Sequence, residues 1–207
     1  FIPFNITNNT PIPVFGISII NKLLYYTKKY GSISKYIKKT NCPGVNVKFI
    51  CISKNGYQNI STCKIISGNK PTLITNTSNI PCQFHNIPKI VLAHKMYGFP
   101  YFDKNGTYGI SSRDNYVIIH ENLDILNIFY NFLSTNFALY IFESTRYRMK
   151  YLEKYVFEFI PDVSNIPDFP DIINDNTICT FFNLNNNDKN HINKLHNKKY
   201  TFFNKID

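Results

Sequence analysis

Apolar positions in the first 120 residues follow strand-like patterns after one initial helix. Over residues 14–30 they recur at helical spacing, and Gly31 is a suitable helix end. Short β-branched and apolar runs separated by turn residues follow at 45–53, 60–67, 71–75, 89–93, 99–104, 107–111 and 116–120. Asn105-Gly106 predicts a type I′ hairpin between two of these runs. This part of the chain is therefore predicted to be mostly β.

Helical spacing dominates after His120. Asn122 is a good N-cap for a helix with apolar positions up to Leu133, and the Ser134-Thr135-Asn136 run interrupts it. A second helix is predicted from about Leu139 into residues 151–159, and a shorter helical pattern covers 188–198. We therefore predict an α+β fold, with a β-rich basic region at 1–120 and a helical region at 121–207.

Length and composition limit the class of protein. The chain has 207 residues, of which 43% are hydrophobic, so it can bury a core as one domain or two small ones. No window reaches the ~18 consecutive apolar residues of a membrane span. Five irregularly spaced cysteines without a C-x-x-C pair favour reduced thiols and a cytoplasmic location. The chain begins with Phe1 and has no signal-peptide pattern, so we expect a segment of a longer protein.

Charge is distributed unevenly along the chain. The first 102 residues contain twelve lysines and no acid, whereas all thirteen acids follow, together with eight lysines and three arginines. AT-rich coding explains abundant lysine, but such a bias acts on both halves and does not explain where the acids lie. A lysine-rich half without carboxylates projects a positive field, which attracts polyanions. The uneven charge predicts nucleic acid as the partner.

Motifs of catalysis are absent from the sequence. We find no phosphate-binding G-x-x-x-x-G-K-[ST] loop, no G-x-G-x-x-G and no G-x-S-x-G. No pattern predicts a metal site or a catalytic set. Asp162, Asp168 and Asp171 lie close together in a proline-rich loop, where carboxylates more often cap turns than bind metal. A magnesium-dependent nuclease that uses these three acids remains a third hypothesis, behind the two DNA- or RNA-binding ones given below.

The segment 89–116 carries the strongest recognition pattern. A predicted buried strand leads into a basic and aromatic loop, and one of only three arginines, Arg113, follows it. Lysine and arginine contact phosphates, arginine can also bind guanine, and serine and asparagine can do either. The alternative is an ordinary hairpin in which Arg113 pairs with Asp114. The residues predicted here to contact DNA are His94, Lys95, Tyr97, Ser112, Arg113 and Asn115.

A second cationic segment follows at 145–154. On a helix, Arg146, Lys150 and Lys154 would form one stripe, which could follow a phosphate backbone. Equally, the stripe could pair with nearby glutamates as a solvated face. We predict that Arg146, Arg148 and Lys150 hold the DNA backbone.

Three runs of the predicted β-rich region form a further pattern: Lys70-Pro71-Thr72-Leu73-Ile74, the stretch 89–103 with its Gly98-Phe99-Pro100 segment, and Gly106-Thr107-Tyr108-Gly109-Ile110. Together they resemble the target-recognition region of adenine-specific DNA methyltransferases of restriction-modification type. With Asp103, the last run matches a D-x-x-G-x-Y-G pattern. The run 157–162 is similar to a segment found beyond that region, and the composition resembles that of large AT-rich DNA viruses. A viral source would place the protein in the host cytoplasm or a viral factory.

The resemblance implies a two-part parent enzyme. In such enzymes a catalytic domain binds S-adenosylmethionine and holds a flipped adenine with an Asn-Pro-Pro-Tyr-type motif, and a second domain reads the DNA sequence. This chain contains no Asn-Pro-Pro-Tyr motif, so the resemblance implies only the DNA-reading part, with no cofactor of its own. The alternative is a viral domain that binds nucleic acid or an acidic partner without sequence preference.

Overall fold

The computed structural model of the chain describes residues 2–5, 11–40, 56–66, 70–94, 100–146 and 151–194. It contains strands in two sheets together with helices, so the α+β prediction is confirmed. Contacts divide the chain into two compact units. Unit 1 consists of Phe1–Lys35 with Asn131–Tyr200, and the described residues of unit 2 all lie within Tyr36–Tyr130. The predicted boundary at residue 120 differs from this division, because the first helix packs against a turn at Lys154–Phe159.

Unit 1 is helical. Its elements are α1 (Ile17–Tyr30), α3 (Asn136–Ser144), α4 (Asp175–Phe181) and α5 (Asn186–Lys194), with 3₁₀ turns at Lys154–Phe159 and Val163–Asn165. Helix α1 ends at Gly31, whose φ of 84° suits glycine, as the sequence predicts. Polar side chains start the later helices: Thr135 accepts from Ala138 N, and Asn174 forms a capping box with Thr177. Phenylalanines fill much of the core: Phe132, Phe137, Phe142, Phe157, Phe159 and Phe182.

Unit 2 contains two sheets. Strands β1 (Ile37–Lys39), β7 (Asn115–Ile118), β4 (Lys89–Ala93) and β5 (Tyr101–Asp103) form one sheet in that order. Strands β3 (Lys70–Ser78), β2 (Tyr57–Ile66) and β6 (Gly109–Ile110) form the other. Four buried residues, Ile60, Val91, Ile110 and Val117, join the sheets in one core. Asn122 caps the N-terminus of helix α2 (Leu123–Leu133), as predicted. The Tyr130 ring of this helix lies 5.5 Å from that of Phe102.

Two predicted elements differ from those observed. The hairpin at Asn105-Gly106 is not formed, because β5 pairs with β4 while β6 runs parallel to β2 in the other sheet. The long second helix is shorter than predicted: α3 ends at Ser144, and residues 154–159 form a 3₁₀ turn. The strand predicted at 45–53 lies outside the described residues. No single helix among those described is long and apolar enough to cross a membrane. Only when α2 and α3 are counted together do they reach the length and apolar composition of a membrane span.

Three cysteines lie within the described ranges, and all are free thiols. Burial raises the pKa of Cys63 to about 12; burial, aided by the charge of Asp175, raises the pKa of Cys179 to about 11. Unfolded thiols ionise near the ordinary value of 9.0, so above that pH the unfolded chain binds fewer protons than the folded one. Stability should therefore fall from about pH 9 upward, by about 1.4 kcal/mol per pH unit for each thiol.

Urea unfolding at pH 8, 9.5 and 10.5 measures how steeply the free energy of unfolding falls with pH. The double variant Cys63→Ala/Cys179→Ala should be less stable at pH 8, because it loses buried volume, but its stability should decline less steeply with pH. An unchanged slope in the double variant would show that these thiols do not titrate on unfolding.

Candidate nucleic-acid interface

An exposed cationic edge lies at one end of the four-stranded sheet in unit 2. Lys38 and Lys39 are exposed on β1, the edge strand. The next residue, Thr40, is buried, and its hydroxyl donates to the Ser112 carbonyl over 2.6 Å. This bond holds β1 beside the loop that carries Arg113, which is exposed as well. We name the set Lys38, Lys39 and Arg113 the basic edge.

Within the described part of the chain, the side chains of the basic edge have no hydrogen bond or ion pair. The predicted alternative, in which Arg113 pairs with Asp114, is therefore not found. Among the described residues, four other cations each pair with a carboxylate: Lys22, Lys35, Lys89 and Arg146. Three neighbouring cations without carboxylate partners keep their full charge available for a ligand.

His94 lies at the same end of the sheet. Its backbone N–H donates to the Asp114 carbonyl over 2.7 Å, and its ring meets that of Tyr116 edge-on, 5.4 Å between centroids. The imidazole is half-buried. The structure thus brings together His94 and the loop of residues 112–115, which the sequence analysis grouped as one DNA-contacting set.

Two members of that set face inward. The Asn115 side chain is fully buried, and its amide donates to the Ser61 carbonyl of β2 over 2.9 Å. The half-buried Ser112 hydroxyl donates to the same carbonyl over 2.5 Å. Because Ser61 and Asn115 belong to different sheets, these bonds join the two sheets. We assign Asn115 and Ser112 this structural role in place of the predicted contact with DNA.

The predicted backbone-binding residues fall in or near the end of α3. Arg146 donates to the Glu143 carboxylate over 2.6 Å, and its side chain is only 19% exposed. Because α3 ends at Ser144, the predicted helical stripe does not continue through this residue. We therefore assign Arg146 a structural ion pair. Lys95, Tyr97, Arg148 and Lys150 lie outside the described residues.

The residues that carry the methyltransferase resemblance include a buried ion pair. Lys89 is wholly inaccessible, and its ammonium lies 2.6 Å from the Asp103 carboxylate. The ammonium also donates to the Ile87 and Tyr108 carbonyls, while Asp103 accepts from the backbone N–H groups of Thr107 and Tyr108 at 2.9 Å. Burial lowers the pKa of Lys89 from its ordinary value, and the Asp103 charge opposes this shift. The pair connects β4 and β5 to the start of β6.

Glycine is required at both glycine positions of the D-x-x-G-x-Y-G pattern, because neighbouring atoms occupy the space that a Cβ would need. Gly106 has a φ of 65°, and a Cβ there would lie 2.6 Å from the Ile87 backbone nitrogen. A Cβ on Gly109 would lie 2.6 Å from the Asn59 side-chain oxygen and 2.9 Å from Cys82 Cβ. The D-x-x-G-x-Y-G pattern therefore has a structural explanation in this chain that involves no ligand.

The acids of the nuclease hypothesis do not converge. Asp162 is fully buried, and its carboxylate accepts from Ser164 and Asn165 and pairs with Lys35 at 2.8 Å. Asp168 and Asp171 are exposed. Across the described ranges, no group of three His, Cys, Asp or Glu side chains could hold a metal ion. The nuclease hypothesis thus has no metal site in this part of the chain.

Lys38 and Lys39 are not among the residues that the sequence predicts to contact DNA. The available signal was a Lys-Lys pair directly after Ile37, in a three-residue strand. Lysines on an edge strand also prevent unwanted pairing with other strands. What distinguishes this pair of lysines is its position beside Arg113, which has no carboxylate partner within the described ranges.

Comparison with known proteins gives no relative. No protein-family model matches the chain, and neither a curated protein nor a solved structure matches it.

Proposed function

We propose that the chain binds double-stranded DNA through the basic edge. The observation that carries this proposal is a group of three exposed cations, Lys38, Lys39 and Arg113, that have no ion-pair partner among the described residues. The sequence of unit 2 from Tyr36 to Tyr130 holds ten lysines and arginines against four carboxylates. A local excess of this kind neutralises phosphates and releases their counterions, which favours binding to DNA.

We further propose that the chain is the target-recognition part of an adenine-specific DNA methyltransferase, or of a fusion of such an enzyme with an endonuclease. The resemblance of residues 70–74, 89–103 and 106–110 supports this role. S-adenosylmethionine and the catalytic motif would then belong to another domain of the parent protein. An enzyme that removes a base from the stack must hold the duplex meanwhile, and a cationic recognition domain suits that task.

The second candidate is binding of nucleic acid without sequence preference. One observation favours it: Asn115 and Ser112, whose side chains could read bases, are engaged between the two sheets. Of the described residues in the predicted set, Arg113 and His94 are then left for base contact. Selection of bound duplexes from a random library separates the candidates, because only the first gives a consensus sequence.

Salt dependence tests binding by the basic edge. Three phosphate contacts predict that log Kd for a duplex rises with log salt with a slope of about 3. We expect Arg113→Ala to weaken binding and, if Arg113 contacts a base, to lose more affinity on the selected duplex than on a random one. Fluorescence anisotropy with a labelled 20-base-pair duplex measures both quantities.

The matched control is Lys104→Ala, because Lys104 is an exposed cation of unit 2 whose ammonium lies 5.4 Å from the Phe102 ring, away from the basic edge. Equal losses for the Arg113 and Lys104 variants would contradict a localised interface. Absence of binding to any duplex at about 20 mM salt would refute the proposed function altogether.

A further inference from the structure

A pocket in unit 1 has the lining of a small-molecule site. Its volume is about 320 Å³, and it is lined by Phe15, Gly16, Tyr140, His191 and Lys194. This volume is at the lower end of the range for ligand pockets, roughly 300–1,000 Å³. The Phe15 and Tyr140 rings meet edge-on, 5.1 Å between centroids, and form an aromatic wall. The pocket therefore combines an apolar surface with three polar side chains.

The Tyr140 hydroxyl is the central polar group. The side chain is only 4% exposed, yet its hydroxyl has no hydrogen-bond partner among the described residues. The hydroxyl oxygen is not among the fully buried, unpaired polar atoms of the described residues, so it is accessible from the pocket and can bond a ligand there. Burial, aided by the Asp188 charge, raises the pKa of Tyr140, so the hydroxyl stays protonated and able to donate. Gly16 permits the close approach of the ring, since a Cβ there would lie 2.7 Å from it.

Two exposed donors of α5 complete the lining. His191 and Lys194 are three residues apart, so they lie on the same side of the helix, and neither has a described partner. A phenol, an imidazole and an ammonium together offer hydrogen bonds and positive charge to a carboxylate or phosphate. The buried Asp188 carboxylate opposes an anion, but Lys22 at 3.5 Å and the Ser18 hydroxyl at 2.8 Å offset its charge.

We propose that this pocket binds a small molecule with a planar ring and an anionic group, of about the size of a nucleoside monophosphate. The ring packs against Phe15, and the anion accepts hydrogen bonds from Tyr140, His191 and Lys194. This site is separate from the basic edge, which belongs to unit 2. Cations in the last turn also stabilise a helix by themselves, and the experiment distinguishes that role from ligand binding.

Isothermal titration calorimetry of the full chain tests the proposal with two anions, adenosine monophosphate and indole-3-acetate, and their uncharged counterparts, adenosine and indole. We expect at least one anion to bind with a Kd below about 1 mM, and its uncharged counterpart about tenfold more weakly. Binding of adenosine monophosphate alone would support the site and identify a phosphate as the anionic group. Binding of indole-3-acetate alone would support the site and identify a carboxylate.

Variants assign the binding to these residues. Tyr140→Phe removes a single hydroxyl and should weaken binding about fivefold, and Lys194→Gln about tenfold. Lys189→Gln, a change of the same kind on α5 outside the pocket, should leave Kd unchanged. Circular dichroism shows whether each variant is folded. If Tyr140→Phe does not fold, the Lys194→Gln variant, which changes an exposed side chain, tests whether the ligand binds in this pocket. No binding of either anion at about 10 mM, or equal Kd values for the Lys194 and Lys189 variants, would overturn the proposal.

Discussion

Replacing Asp103 with alanine should lower the free energy of unfolding by about 3–5 kcal/mol. The substitution leaves the Lys89 ammonium buried without its carboxylate, and a buried charge of this kind is poorly solvated. It also removes the acceptor of two backbone N–H groups, those of Thr107 and Tyr108. Equilibrium unfolding in urea, followed by circular dichroism, measures the loss.

Asp171→Ala is the matched control, because Asp171 is exposed and has no described partner. Its effect should stay within about 0.5 kcal/mol. A further variant, Asp103→Asn, keeps one acceptor oxygen and should lose less stability than Asp103→Ala. A loss below about 1 kcal/mol for Asp103→Ala would mean that Lys89 reaches solvent or another acceptor when its partner is removed.

Neutralising the whole basic edge should reduce DNA affinity by roughly 100-fold at low salt, at about 1 kcal/mol for each lost phosphate contact. The variant is Lys38→Gln/Lys39→Gln/Arg113→Gln. The three side chains are exposed and have no partner in the part of the chain that the structure describes, so their removal should leave stability nearly unchanged. The salt slope of log Kd should fall by about 2–3 as well, because three fewer counterions are released. Anisotropy titrations at several salt concentrations measure both effects.

The control removes equal charge elsewhere. Lys28→Gln/Lys29→Gln/Lys104→Gln neutralises three exposed lysines outside the basic edge. If binding reflected only the net charge of +10, both triple variants would lose the same affinity. We expect the control to lose less than about fivefold, because separated surface charges act on DNA only through a screened field.

Local signals in the sequence were sufficient for several elements. Helix α1 ends at the predicted glycine, β4 has the predicted bounds, and Asn122 caps α2. Each of these depends on residues within a few positions of one another. The Asn105-Gly106 turn shows the limit of such signals. Its local preference for a hairpin is outweighed by the Lys89–Asp103 ion pair and by the pairing of β6 with β2, which join residues far apart in sequence.

The sequence predicted which segment of the chain carries the candidate site, but not which of its side chains are exposed. The sequence placed His94 and the loop around Arg113 in one recognition segment, and the structure brings His94 beside that loop. The sequence did not reveal which polar side chains face the core, because Asn115 is equally suited to reading a base and to bonding a carbonyl. Burial decides between these roles, and burial depends on the partner sheet. Lys38 and Lys39 of β1 were missed because their place beside Arg113 depends on the pairing of β1 with β7, which joins residues about 80 positions apart.

The two stretches of unit 1 are separated by all of Tyr36–Tyr130, and this order affects how the protein emerges from a ribosome. At typical elongation rates, translating those 95 residues takes roughly 5–20 s. During that interval the apolar face of α1, formed by Ile19, Ile20 and Leu23, lacks the later helices of its own unit. The nascent chain thus carries an uncovered apolar helix face for several seconds before the rest of its unit is made.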